Sequence, residues 1–250
     1  YVGDLFQWQP AYFIGGAMGL VLLVLRLGVM ESSMFHKLEH KKVEKGNFLM
    51  LFNNWQRFRK YVSCTLIALP TWFVVGILIT FAPEFGKAFG AAEPLSAGKG
   101  IVYTYIGISV GDILCGLLSQ YFKTRKHIVS AFLLSTLVFV LIYLFSDSMS
   151  QQRYFWLCIC LGLSTGFWVV FVTIAAEQFG TNLRATVTTT VPNFIRGSVV
   201  LITLSFEWLK EPLGIINAAL VVGLTCLLIA FISVYNLEET YGKDLDYIEE

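Results

Sequence analysis

The chain has 250 residues, of which 56% are hydrophobic and 15% aromatic, and only 14% carry charge, against roughly a quarter in soluble domains. Its net charge is +1, so it has no basic field for nucleic acid, and its mean hydropathy is +0.68. Together these exclude an ordinary water-soluble globule.

Seven mostly apolar stretches follow one another at 11–30, 64–83, 101–122, 128–146, 154–179, 186–209 and 213–236. Each matches the roughly 17–25 residues that a helix needs to cross a bilayer. Lipid offers no partner to backbone N–H and C=O groups, and barrel strands would be shorter and alternating, so helices are expected. The predicted fold class is all-α and integral to the membrane, with seven transmembrane helices. The first residues, Tyr1-Val2-Gly3-Asp4, lack an initiator Met and the charged start of a signal peptide. Residues 1–30 therefore read as an outside loop and the last helix of a preceding bundle that this chain lacks. Residues 31–63 are hydrophilic and basic, long enough to separate two bundles, and are expected as a cytoplasmic central loop. Within them Asn53–Tyr61 mixes aromatics with cations, which suits a short helix lying at the membrane interface or a solvated loop. The remaining six helices, 64–236, are expected to form one bundle, followed by a tail at 237–250. Twelve of the 18 Lys and Arg fall in loops on one side and four on the other, which places the N-terminal end outside and the tail in the cytoplasm. The five cysteines lie in or beside apolar segments without CxxC spacing and read as packing residues, so no metal or cofactor is expected.

Charges at membrane depth are costly, roughly 2.5–3.5 kcal/mol each on insertion scales, and so mark function. Asp112 and Arg196 lie near the middle of 101–122 and 186–209, beyond reach of either interface. On a helical wheel Thr189, Asn193 and Arg196 share one polar arc, and Tyr105, Ser109 and Asp112 another. Pro192 frees backbone groups beside Asn193 and permits a bend. Trp72 and Trp168 could stack on a solute. Asp112, Arg196, Asn193, Thr189, Tyr105, Trp72 and Trp168 are therefore the candidate substrate and coupling residues. The carboxylate of Asp112 can take up a proton, whereas Arg196 is a fixed charge that can bind either Asp112 or an anion. The competing reading is a buried pair that only ties two helices together. Trp72-Phe73-Val74-Val75 before Glu84-Phe85-Gly86 is faintly echoed by Trp168-Val169-Val170-Phe171 before Glu177-Gln178-Phe179-Gly180, as in inverted transporter repeats. The pairs Gly15/Gly19, Gly107/Gly111 and Gly162/Gly166 read as helix-packing sites.

Four segments carry a family resemblance. They are Met30-Glu31-Ser32-Ser33, Gly116-Leu117-Leu118-Ser119-Gln120 with Thr124-Arg125-Lys126, Glu177-Gln178-Phe179-Gly180-Thr181-Asn182-Leu183-Arg184, and Glu239-Thr240-Tyr241-Gly242-Lys243-Asp244-Leu245. In this order they resemble the major facilitator superfamily, in its sugar- and metabolite-porter branches, from the sixth helix to the C-terminus. Gln120 stands where the family usually has Asp, and Lys123 where it has Gly. The resemblance implies a secondary active transporter in the cell membrane that moves a small organic solute, such as a sugar or organic acid, with protons by alternating access. It also implies half a solute site supplied by an N-terminal bundle of the same polypeptide. Glu177 and Arg184 would form a cytoplasmic gating ion pair with Arg125 nearby. A seven-helix receptor or a non-transporting scaffold is the alternative. No enzyme is expected, because HExxH is absent and Ser109 breaks the Gly-x-Gly-Asp pattern before Asp112.

Overall fold

The computed structural model describes residues 8–26 and 46–249, and the chain divides into two units, 1–43 and 44–250. The expected outside loop before Trp8, the first part of the 31–63 loop (31–45) and the Glu31-Ser32 motif lie outside the described residues. In the first unit α1 spans Trp8–Arg26.

The regular elements of the second unit are all helices, with no strand among the described residues. A 3-10 turn, Phe48–Leu51, is capped by Asn47, and α2 (Trp55–Leu66) is capped by Asn54, whose Oδ1 accepts from the Gln56 N–H at 2.9 Å. The predicted interfacial helix is thus the first turns of a membrane span. Arg57 and Tyr61 are buried in this helix, which runs on through α3 (Leu69–Phe73) and one π-helical turn (Val74–Ile79). A wide turn frees carbonyls. Here the hydroxyl of Tyr143 donates to the Leu78 carbonyl at 2.9 Å and that of Thr80 to Val75 at 2.8 Å. Then come α4 (Ala82–Ala88), α5 (Ala97–Tyr121), α6 (Lys126–Leu144), α7 (Gln151–Thr165), α8 (Trp168–Glu177) and α9 (Thr181–Asn236).

Five helical stretches of the described residues are long and apolar enough to cross a bilayer: Trp55–Ile79, Ala97–Tyr121, Lys126–Leu144, Gln151–Glu177 and Thr181–Asn236. The predicted runs 186–209 and 213–236 are joined within α9. At about 1.5 Å per residue its 56 residues would exceed twice the roughly 30 Å of hydrocarbon. The chain turns at Gly214, whose φ of 74° and ψ of 163° only glycine adopts cheaply, just after Pro212. Pro192, by contrast, lies inside α9 without a departure from helical dihedrals. The apolar run of α1, Tyr12–Arg26, is shorter than these five.

Two features set the positions of the helices. An aromatic core of Phe85, Phe89, Tyr143, Tyr154 and Phe206 is fully or almost fully buried between α4, α6, α7 and α9. Elsewhere α5 and α7 meet backbone to backbone. A Cβ at Gly162 would enter the Thr104 carbonyl, and one at Gly166 would sit 2.6 Å from the Gly111 Cα. Glycines at these positions allow the approach, as between membrane helices generally. Gly162→Ala is expected to destabilise the purified protein by about 1–3 kcal/mol through overpacking, read as a lower melting temperature. Gly116→Ala, on the same helix α5 but with open space around it, is expected to leave the melting temperature unchanged or raised. Equal effects of the two substitutions would contradict this packing.

Candidate functional site

A cavity of about 260 Å³ opens among α3, the π-helical turn, α5, α8 and α9. Its wall includes Trp72, Tyr105, Asp112, Trp168 and Arg196, so five of the seven predicted residues share one space. The other two, Asn193 and Thr189, are exposed on α9 and do not line it. Asn193 lies one turn from Arg196 with its Oδ1 3.4 Å from Nη1, and its amide donates to the Thr189 carbonyl. The Thr189 hydroxyl is directed back to the Ala185 carbonyl, 2.9 Å away. Thr71, Val75 and Ile108 also line the cavity and were not predicted. The sequence signal for the first two is their place beside Trp72 in a stretch whose helix changes pitch, which hydropathy alone does not show.

The cavity sits where the helical span Gln151–Glu177 is interrupted. Gly166 and Phe167 leave helical geometry, and α8 begins at Trp168 with no side-chain cap of its own. Its first N–H groups lie where lipid could not satisfy them. Asp112, reaching from α5, supplies the acceptor: Val169 N–H donates to its Oδ1 at 3.1 Å, and the Trp168 N–H is directed to the same carboxylate. A carboxylate at a helix N-terminus is further favoured by the helix dipole. Asp112 therefore caps α8. It forms no ion pair with Arg196, contrary to the predicted pairing, because the backbone amides hold its carboxylate.

Arg196 has a different set of neighbours. Its guanidinium lies 5.7 Å from the Trp72 ring centroid, a cation–π arrangement, and contacts Asn193, with no carboxylate partner among the described residues. Trp72 and Trp168, the two residues of the sequence echo, meet edge to face at 6.0 Å between centroids. The Trp72 Nε1 and Thr71 Oγ1 atoms are buried without a hydrogen-bond partner, each a cost of about 1–3 kcal/mol unless a group reaches it.

A second constellation forms where the 122–125 and 178–180 loops meet the tail. Arg125 Nη2 lies 2.7 Å from Glu177 Oε1, both side chains largely buried. The predicted partner, Arg184, is elsewhere: its Nε donates to the Ala176 carbonyl at 3.0 Å and its Nη2 to Leu245 at 2.7 Å and Phe179. The guanidinium fits the carbonyl-rich C-terminal end of α8, while Glu177 points to the α5–α6 loop. Glu239 caps α6, which has no side-chain cap of its own, accepting from the Arg125 and Lys126 N–H groups and the Thr124 hydroxyl. Lys126 Nζ returns to the carbonyls of Tyr235 and Leu237. Farther along the tail, Glu249 exchanges hydrogen bonds with Asn182 and lies 3.4 Å from Arg57 and 3.9 Å from Lys60. The tail thereby straps the starts of α2, α6 and α9.

Burial opposes ionisation of Glu239, but the Thr124 hydroxyl and the backbone N–H groups around it outweigh burial and hold its carboxyl below the usual range. A lowered folded value means that its stabilisation is fully present above the ordinary value of about 4.3. That stabilisation is lost only as pH falls through the lower folded value. The strap is thus expected to stay docked throughout the physiological range. Glu239→Gln removes the charge at every pH, and at neutral pH trypsin is expected to cut after Lys243 several-fold faster. An unchanged cleavage rate would show that the tail is held without Glu239.

Comparison with known proteins agrees with this architecture. No curated protein matches the chain. A family model, that of the Major Facilitator Superfamily, matches residues 1–202, which include the whole cavity wall and both members of the Arg125–Glu177 pair. By that match over most of its length, this integral membrane chain of apolar helices belongs to the Major Facilitator Superfamily of membrane transporters.

Proposed function

We propose that the chain carries out solute-coupled alternating access in a secondary active transporter of a small organic solute, a sugar or an organic acid, driven by protons. The observation that carries this reading is the placement of α8. Its first N–H groups rest on Asp112 at the cavity, and its last residue, Glu177, pairs with Arg125 at the loop-and-tail end. Ten residues of helix, about 15 Å long, join the two.

Protonation of Asp112 weakens the charge–dipole part of the cap. It leaves Arg196 as the charge facing the solute and loosens the start of α8. Movement of α8 strains the Arg125–Glu177 contact at its other end, so that a proton at the cavity and a gate at the membrane surface respond together. Each state of such a device needs differential contacts, and the two ends of α8 supply them. In this reading 64–236 is the C-terminal six-helix bundle, with α9 counted as two spans about Gly214. Residues 1–30 end a preceding bundle of the same polypeptide, which completes the solute site. The loop-and-tail end faces the cytoplasm, in agreement with the distribution of Lys and Arg, and the cell membrane is the location.

The test uses full-length protein in proteoliposomes and whichever labelled sugar or organic acid the wild type accumulates. Asp112→Asn is expected to lose accumulation driven by a proton gradient yet keep solute exchange at equal concentrations. Arg125→Glu and Glu177→Arg are each expected to lose transport by at least tenfold, because each leaves a buried charge unpaired. The double swap is expected to recover much of it. Accumulation by Asp112→Asn at the wild-type level would remove the coupling role. A swap no better than its parents would remove the gate.

A further inference from the structure

We propose that the solute is an organic monocarboxylate with an apolar carbon body, held through its carboxylate by Arg196. This deepens the transport reading and rests on it for the claim that the cavity is a solute site. The inference starts from which charged groups are already engaged. Asp112 would suit a cationic or hydroxyl-rich solute if it were free, but its carboxylate is bound to the N–H groups that start α8. Arg196 is then the charged group of the cavity that is committed to no carboxylate and no backbone group among the described residues, its contacts being the Trp72 ring and the Asn193 side chain.

The hydrogen-bonding capacity of the wall has the same sign. The Trp72 indole can only donate, and its N–H is buried without an acceptor; the Thr71 hydroxyl beside it is also unpartnered. Beside Arg196, these two unpartnered groups that can donate match a carboxylate, which brings two acceptor oxygens and no donor. A sugar presents as many donors as acceptors and would leave this imbalance in place. The rest of the wall is apolar: Val75, Ile108 and the rings of Trp72 and Trp168. Such a surface gains by covering carbon and loses by covering hydroxyls, since a polar group desolvated without a partner costs free energy. A planar guanidinium beside an indole face also selects a flat carboxylate presented edge-on to its fork.

The probes are benzoate, its neutral counterpart benzamide, acetate, which keeps the charge but lacks the body, and glucose. Binding to full-length protein is read by calorimetry, and uptake by proteoliposomes. Benzoate is expected to bind at least tenfold more tightly than benzamide, acetate or glucose. Arg196→Gln is expected to abolish the preference for benzoate over benzamide, and Arg196→Lys to keep part of it. The melting temperature of each variant reports whether it is folded. Equal affinities for benzoate and benzamide, or failure of benzoate to bind at millimolar concentration, would overturn the proposal. Uptake of glucose without competition from benzoate would overturn the anion assignment and leave the transport reading standing. Tight, Arg196-dependent binding of benzoate that never enters the vesicles would instead overturn transport and leave the ligand class standing.

Discussion

A helix that stops inside hydrocarbon exposes N–H groups for which lipid has no acceptor, and the rest of the site follows from how this chain meets that requirement. The span Gln151–Glu177 breaks at Gly166 and Phe167, and the carboxylate of Asp112 caps the part that continues. The approach of α5 and α7 through Gly107, Gly111, Gly162 and Gly166 brings Asp112 within reach. With Asp112 held by the backbone, Arg196 stands without a carboxylate partner among the described residues, and α8 is a short helix with Asp112 at its start and the Arg125–Glu177 pair at its end. The charge at membrane depth is thus stabilised by the same interruption that it stabilises.

The same device recurs at the surface end. There α6 has no side-chain cap of its own, and Glu239 provides one from beyond the last helix. Among the helices without a side-chain cap of their own, α6 and α8 are each held by a carboxylate distant in sequence. Helix termini in this protein therefore act as tertiary contacts: the first cap joins α5 to α8, and the second joins the tail to α6. Because Arg125 takes part in both the Glu239 cap and the Glu177 pair, the tail is in direct contact with that pair.

Much of this was legible in the sequence, and the exceptions have physical causes. Polar residues at membrane depth stand out because each is costly there, so Asp112, Arg196, Tyr105 and the two tryptophans could be found without a structure, and the glycine pairs could be assigned to packing. The partner of Asp112 could not. The run 154–179 is mostly apolar and contains no proline, so Ser164-Thr165-Gly166 alone marks its break and does not divide the run in hydropathy. The family resemblance implied that Glu177 would pair with Arg184, but the turn between α8 and α9 directs them to different partners, one to Arg125 and one to backbone carbonyls. The charges at 57–60 read as solvated because the acidic tail that covers Arg57 is nearly two hundred residues away in sequence. Long-range partners of this kind are set by the packing of whole helices and are not encoded in a local pattern.

The central claim, that the charge on Asp112 governs the order of α8, can be measured directly by hydrogen–deuterium exchange of peptides spanning 165–180 in the full-length protein, wild type against Asp112→Asn. The amide keeps an acceptor oxygen but removes the charge, as a proton would. Faster exchange throughout 168–177, with 151–165 unchanged, is the expected result, since local opening follows the loss of the contacts that hold a segment. Identical exchange in the two proteins would contradict the account, because α8 would then be ordered independently of the carboxylate at its start.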